Sequence, residues 1–219
     1  MKKCFLFGVV LLFLACNNSA EDQQATEDSI SGTIIINELD SISTISNSFV
    51  QLDSSFDQTS FSKVSERTIQ EAEDMPLNAE QMLPFMPYLI YNSDSSKAID
   101  PYSYNFIINE RKGTRRVDDA GPDFEIGLID VKSKTRRRIW FSGPAARIIE
   151  AKWKSNHELW LAGVEEVSAE SYIPFILEID TRTNKAASYE SGDTIQMTGQ
   201  SGLRQALEAK MKIKTSPAF

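Results

Sequence analysis

Apolar residues along this chain follow two different rhythms. From Phe124 onward they fall at roughly every second position through six segments: FEIGLIDVKS, TRRRIWF, RIIEAKW, ELWLAGVEEV, YIPFILEID and KAASYES. A period of two marks strands. The joints are short and polar: Lys132-Ser133-Lys134, Gly143-Pro144, Lys154-Ser155-Asn156 and Thr181-Arg182-Thr183-Asn184. Joints this short connect antiparallel neighbours, because a parallel pair needs a crossover of a dozen residues or more. The mixed alternation fits sheets with one wet face. The rhythm then changes. In SGLRQALEAKMKIK, Leu203, Leu207 and Met211 recur every fourth residue, which predicts a C-terminal helix with Ser201 as its cap.

The first half is less regular. GTIIINEL reads as a strand around Ile34–Ile36. SISTISNSFVQLDSSF places Ile42, Ile45, Phe49 and Leu52 at helical spacing on residues of poor helix propensity, and stays ambiguous. SKVSERTIQEAEDM reads as a helix capped by Ser62, with a stripe of Val64, Ile69 and Ala72, closed by Pro76. Pro84 and Pro87 forbid a regular helix through MLPFMPYLIYN, so it reads as an extended approach to a strand, Tyr88–Asn92. YNFIINE reads as a strand with Phe106 and Ile108 on one face, and RKGTRRVDDAGPD as a long polar loop.

At the N-terminus, Lys2 and Lys3 precede an apolar run, Phe5–Ala15, broken only by Gly8. The run is about half the roughly 20 residues that a membrane-spanning helix needs. A short apolar run behind positive charge has the form of a signal peptide. It ends Phe13-Leu14-Ala15-Cys16, which resembles the lipobox of bacterial lipoproteins, with Phe13 where Leu is usual. The resemblance implies cleavage before Cys16 and a diacylglyceryl group on its thiol. It also implies anchoring in the cell envelope, since each buried methylene contributes about 0.8 kcal/mol. NNSAEDQQATEDS follows and has no apolar residue larger than alanine to place in a core, so it reads as a tether. Ser19-Ala20-Glu21-Asp22 resembles the export signal of Bacteroidota surface lipoproteins and points to the outer membrane. The expected organisation is a signal peptide over 1–15, a tether over 16–30, and one domain over 31–219 whose residues 31–87 form an irregular arm.

Composition narrows the chemistry. The cysteines are Cys4 and Cys16, so the domain has no disulfide, no Cys nucleophile and no Cys-based zinc site. His157 is the single histidine, which excludes a two-His catalytic scheme. The formal charge is −8, but it is unevenly spread. Glu21–Asp74 holds twelve acids against two bases, and Arg111–Lys154 twelve bases against six acids. The opposite signs either pair within the fold or face separate partners, and the simpler reading is solvated faces with no partner.

EAKWKSNHELWLAGV carries Trp153, a tight turn over Lys154–His157, and Leu161-Ala162. It is similar to the WSPDG-type segment of WD40-like, TolB-type propeller blades, with Asn and His where that turn has Pro and Gly. GLIDVKSKTRRRIW and ILEIDTRTNK repeat a second blade phrase, with Asp130 and Asp180 fifty residues apart. The resemblance covers about residues 100–190 and implies a binding scaffold without catalytic residues. The expected fold is therefore mainly β. It is an antiparallel meander of propeller-blade-like or small sandwich type, with one helix in the N-terminal region and one at the C-terminus.

TRRRIWF supplies the candidate site. On a strand, Arg136, Arg138 and Trp140 share one face, a guanidinium row ending in an indole that suits anionic groups. The competing reading is an edge strand protected by charge. Asp118, Asp119 and Asp123 offer loop carboxylates, without calcium-loop spacing and without the fixed carboxyl separation of a glycosidase. Asp94 and Asp100 are weighed likewise, Trp153 and Trp160 read as packing, and His157 as an exposed turn residue. No nucleophile elbow, phosphate loop or dinucleotide fingerprint is present. The expectation is a lipid-anchored outer-membrane binding or adaptor module for a protein or anionic glycan. It has no catalysis, cofactor, metal or nucleic acid. The alternatives are a carboxylate-dependent glycan hydrolase and a structural subunit of an envelope complex.

Overall fold

In the computed structural model of the protein, residues 39–57, 61–69, 73–111, 113–197 and 202–213 are described. The chain begins with α1 (Leu39–Leu52), β1 (Phe61–Thr68), β2 (Met75–Pro76), the short α2 (Ala79–Met82), a 3-10 turn over Met86–Tyr88, β3 (Ile90–Tyr91) and β4 (Lys97–Asp100). It continues with the hairpin β5 (Phe106–Arg111) and β6 (Thr114–Asp119), then β7 (Phe124–Asp130) and β8 (Thr135–Ser142). The last elements are β9 (Ala146–Trp153), β10 (Glu158–Ser168), β11 (Ser171–Asp180), β12 (Lys185–Ser191), β13 (Ile195–Gln196) and α3 (Gly202–Lys210).

Apart from the separate two-stranded sheet of β5 and β6, the strands form two antiparallel meanders of the same design. One runs β3-β4-β7-β8 with β2 added outside β8; the other runs β9-β10-β11-β12 with β1 added outside β12. Alternation decides what each face touches. Leu159 and Leu161 of β10 point to one side with Leu177 and Ile179 of β11, and meet Ile99, Ile126 and Leu128 of the smaller sheet. Trp160, Ala162, Val164 and Ile176 point the other way, under Ile45 and Phe49 of α1. Likewise Ala98 and Ile129, on the far face of the smaller sheet, lie under Met82 and Leu89. The order of layers is therefore α1, larger sheet, smaller sheet, α2 segment. The Leu203–Leu207 pair of α3 joins the central core.

The mainly β, antiparallel class expected from the period-two pattern is what forms, with all six strands from Phe124 onward and the C-terminal helix in place. Four segments differ. One is MLPFMPYLIYN, where the end of α2 and the 3-10 turn Met86–Tyr88 replace the expected extended approach and the strand shrinks to Ile90–Tyr91, since a proline is tolerated in the first turn of a short helix. The N-terminal helix is the Ser-rich stretch Leu39–Leu52, because Ile45 and Phe49 bury completely against the larger sheet and that burial outweighs weak propensity. The stretch read as a helix from Ser62 is instead β1, paired antiparallel with β12 and bulged at Val64. Its apolar stripe was too thin to hold a helix, whereas a sheet edge satisfies its backbone. The stretch read as a polar loop contains β6, which turns back on β5 at Gly113, with φ 76°; Val117 is its one anchor in the core. The expected strand at Ile34–Ile36, the signal peptide, Cys16, the tether and the Ser201 cap lie outside the described residues.

The two aspartate phrases build matching turns. Asp130 accepts hydrogen bonds from Ser133 N and Oγ at 2.8 and 2.9 Å; Asp180 accepts from Arg182 N at 2.8 Å and Thr183 Oγ1 at 2.9 Å. Four residues after each aspartate, Lys134 and Asn184 both adopt φ 55°. The arm fastens to both turns: Ile69 N–H donates to Asn184 O at 2.7 Å and Leu77 N–H to Lys134 O at 3.0 Å. It thereby ties the outer edges of the two sheets together.

Candidate functional site

The site lies on the face of the smaller sheet turned away from the larger one. On β7, Ile126 and Leu128 enter the central core, so Glu125, Gly127 and Ile129 look outward. Their partners on β8 are Phe141, Arg138 and Arg136. A bulge at Ile139, where the register passes from Ile126↔Trp140 to Gly127↔Arg138, shifts the alternation by one residue. This corrects the expected trio. Arg136 and Arg138 do share a face, but Trp140 turns inward to the core beside Phe124 and Phe175. The aromatic ring beside the arginines is Phe141, with the Arg138 guanidinium 4.6 Å from its centroid.

A buried ion network floors the site. Arg136 Nε donates to Asp100 Oδ2 at 2.8 Å and Nη1 to Glu125 Oε1 at 2.5 Å, while Arg138 Nε donates to Glu125 Oε2 at 2.6 Å. Asp100 also accepts from the N–H groups of Tyr102 and Ser103, at 3.1 and 3.0 Å, and from the Ser103 hydroxyl. Asn105 clamps the Glu125 backbone, accepting from its N–H at 2.8 Å and donating to its carbonyl at 2.7 Å. Burial works against the Arg136 charge, but Asp100 and Glu125 outweigh it and hold the guanidinium above its ordinary pKa. The guanidinium lies flat on Gly127, whose missing Cβ would stand 2.4 Å from Arg136 Cζ. Arg136 Nη2 is buried without a hydrogen-bond partner.

Above this floor is a cleft of about 570 Å³. Glu73, Met75 and Pro76 of the arm form one side, with Asn78, Gln81 and Met82 of the α2 segment. Gln81 is fixed there by its Nε2, which donates to Ser103 O at 3.2 Å. Tyr104 forms another wall and meets Phe141 edge-on, with centroids 6.3 Å apart. Arg138 is half exposed at the mouth.

The other weighed residues are elsewhere. Asp118 and Asp119 follow one another on β6 and so face opposite ways; Asp118 accepts from Asn109 at 2.8 Å and from Arg116, and Asp119 from Arg204 of α3 at 3.3 Å. Asp123 precedes β7, and Asp94 closes a turn by accepting from Ser96 N. Among the described residues, no three His, Cys, Asp or Glu side chains converge on one point. Trp160 packs under α1, Trp153 Nε1 donates to Ile90 O at 2.8 Å, and His157 is exposed in its turn. Sequence reasoning missed Glu125, Tyr104 and the arm side of the cleft. The alternation of FEIGLID places Glu125 opposite the apolar pair and was the one available signal.

Comparisons with protein-family models, characterised proteins and solved structures found no match for this chain. What fold and site define is an antiparallel β protein of two stacked sheets and a side hairpin, with a cleft of charged floor and largely apolar walls on the outer face of one sheet.

Proposed function

We propose that the protein is a non-catalytic binding module, held at the bacterial outer membrane by lipid on Cys16, that captures a partner from the envelope in the cleft above Arg136 and Arg138. The observation that carries this reading is the cleft itself. One half of the outer face of the smaller sheet is covered by Met82 and Leu89, and the other half is left as a walled opening over an ordered polar floor. The lipobox resemblance supplies the anchor, and the propeller-blade resemblance supports a scaffold role. A hydrolase finds no support in the floor. Asp100 and Glu125 are both paired with arginines, and no second pair of carboxyls faces across the cleft among its lining residues.

In-cell photo-cross-linking tests this. A benzophenone amino acid is placed in the full-length protein at Met75, Phe141 or, as a control, Val64 on β1. Adducts are expected from the first two positions only, and they fade when Arg138→Ala is added. Absent adducts at Met75 and Phe141, or equal adducts at Val64, contradict the reading.

A further inference from the structure

Resting on that cleft as the binding site, we infer that its ligand is an uncharged, hydroxyl-rich ring: a neutral carbohydrate. The run of arginines suggests an anion, but the structure has already spent those charges. Arg136 and Arg138 are matched by Asp100 and Glu125, and Glu73 adds a further negative charge at the rim. A polyanion entering here meets no net attraction, because the two guanidinium charges are balanced by the carboxylates of Asp100 and Glu125 beside them.

A sugar meets a different balance. Its hydroxyls both donate and accept, so they can engage a guanidinium and a carboxylate side by side without disturbing their mutual pair. Arg138, Glu125 and Gln81 line the cleft in that mixed arrangement. A sugar ring also has an apolar C–H face, and Tyr104 supplies an aromatic surface held by its edge contact with Phe141. A cleft of about 570 Å³ lies within the range of small-ligand sites.

An extended peptide is the competing occupant, and β8 argues against it. Beyond the pair that β2 makes with Thr135 and Arg136, peptide addition would use the remaining edge of β8. That edge carries the Ile139 bulge and the exposed Arg138, two features that block strand addition.

Isothermal titration calorimetry on the full-length lipidated protein in detergent decides the matter. The probes are cellohexaose, xylohexaose, mannohexaose and chitohexaose, with hexagalacturonate and a poly-glutamate peptide as charged comparators. At least one neutral hexasaccharide is expected to bind, with affinity unchanged when salt rises from about 50 to about 500 mM, since no net charge is screened. Tyr104→Ala and Arg138→Ala are each expected to weaken it by about tenfold or more, and Val64→Ala to leave it alone. Arg138 is half exposed, so its variant keeps the test valid if Tyr104→Ala unfolds. Binding of hexagalacturonate or the peptide alone overturns the sugar and leaves the cleft standing. Silence from every neutral probe overturns the sugar as well. Neutral-sugar binding indifferent to both cleft variants overturns the sugar in this cleft and the cleft assignment with it.

Discussion

Gly127 shows how one absent carbon shapes the site. Its bare backbone lets the Arg136 guanidinium lie flat and reach Asp100 and Glu125 together. Gly127→Ala is expected to lever Arg136 off both carboxylates and destabilise the fold by about 1–3 kcal/mol, read as a lower urea midpoint. An unchanged midpoint would mean the network is not held by that contact. Glu150 of β9 makes a second, pH-dependent case. Burial pushes its carboxyl pKa up, although Lys152 and Lys210 pull it down, and Ser48 of α1 donates to it. A raised folded-state pKa means the charged form costs stability above that pKa, and the cost vanishes once pH falls below the unfolded value near 4.5. Glu150→Gln is therefore expected to stabilise the protein at pH 7 and to gain nothing at pH 4; a gain equal at both would contradict the burial argument. At this scale the sequence was half legible. Arg136 and Arg138 stood out as a strand pair, but a bulge leaves no mark in TRRRIWF, and it exchanged Trp140 for Phe141.

Among elements, the paired aspartate turns give an internal control. Lys134 and Asn184 occupy the same left-handed conformation, which costs an ordinary side chain about 1–2 kcal/mol and Asn less. Lys134→Gly is expected to raise the melting temperature by a few degrees. Asn184→Gly is expected to give no gain, because Asn184 Oδ1 also accepts from Arg137 Nη2 at 2.8 Å and that bond is lost. Equal gains in both would deny the contact its role. The helix α1 illustrates what a local reading lacks. Serines lower its propensity, and only the larger sheet, distant in sequence, gives Ile45 and Phe49 a place to bury. Phe49→Ala should cost about 3–5 kcal/mol in chemical denaturation. The reverse holds for β1, where only Phe61 is buried and the β12 edge does the organising. Strands β7 to β12 were legible because period and turn chemistry agreed in each.

For the molecule as a whole, two like meanders stack on a shared core and a single arm straps their outer edges. The basic segment is answered in part by an acid outside both segments and by one of its own, as Arg136 meets Asp100 and both Arg136 and Arg138 meet Glu125. Mooring at a membrane is a separate claim with its own check. Palmitate label should be incorporated into the full-length protein and disappear in Cys16→Ser, and label that persists would discard the anchor. The claim on which the functional account rests is that a partner enters above the arginine floor. Methionine methyl NMR reads this directly. The full-length protein, placed in lipid nanodiscs, is titrated with envelope extract while five internal methyl signals are followed. Met75 and Met82 line the cleft and should shift in a saturable way, while Met197, buried under α1, stays still. Saturable shifts at Met197 with Met75 and Met82 unmoved would place the partner elsewhere and contradict the account.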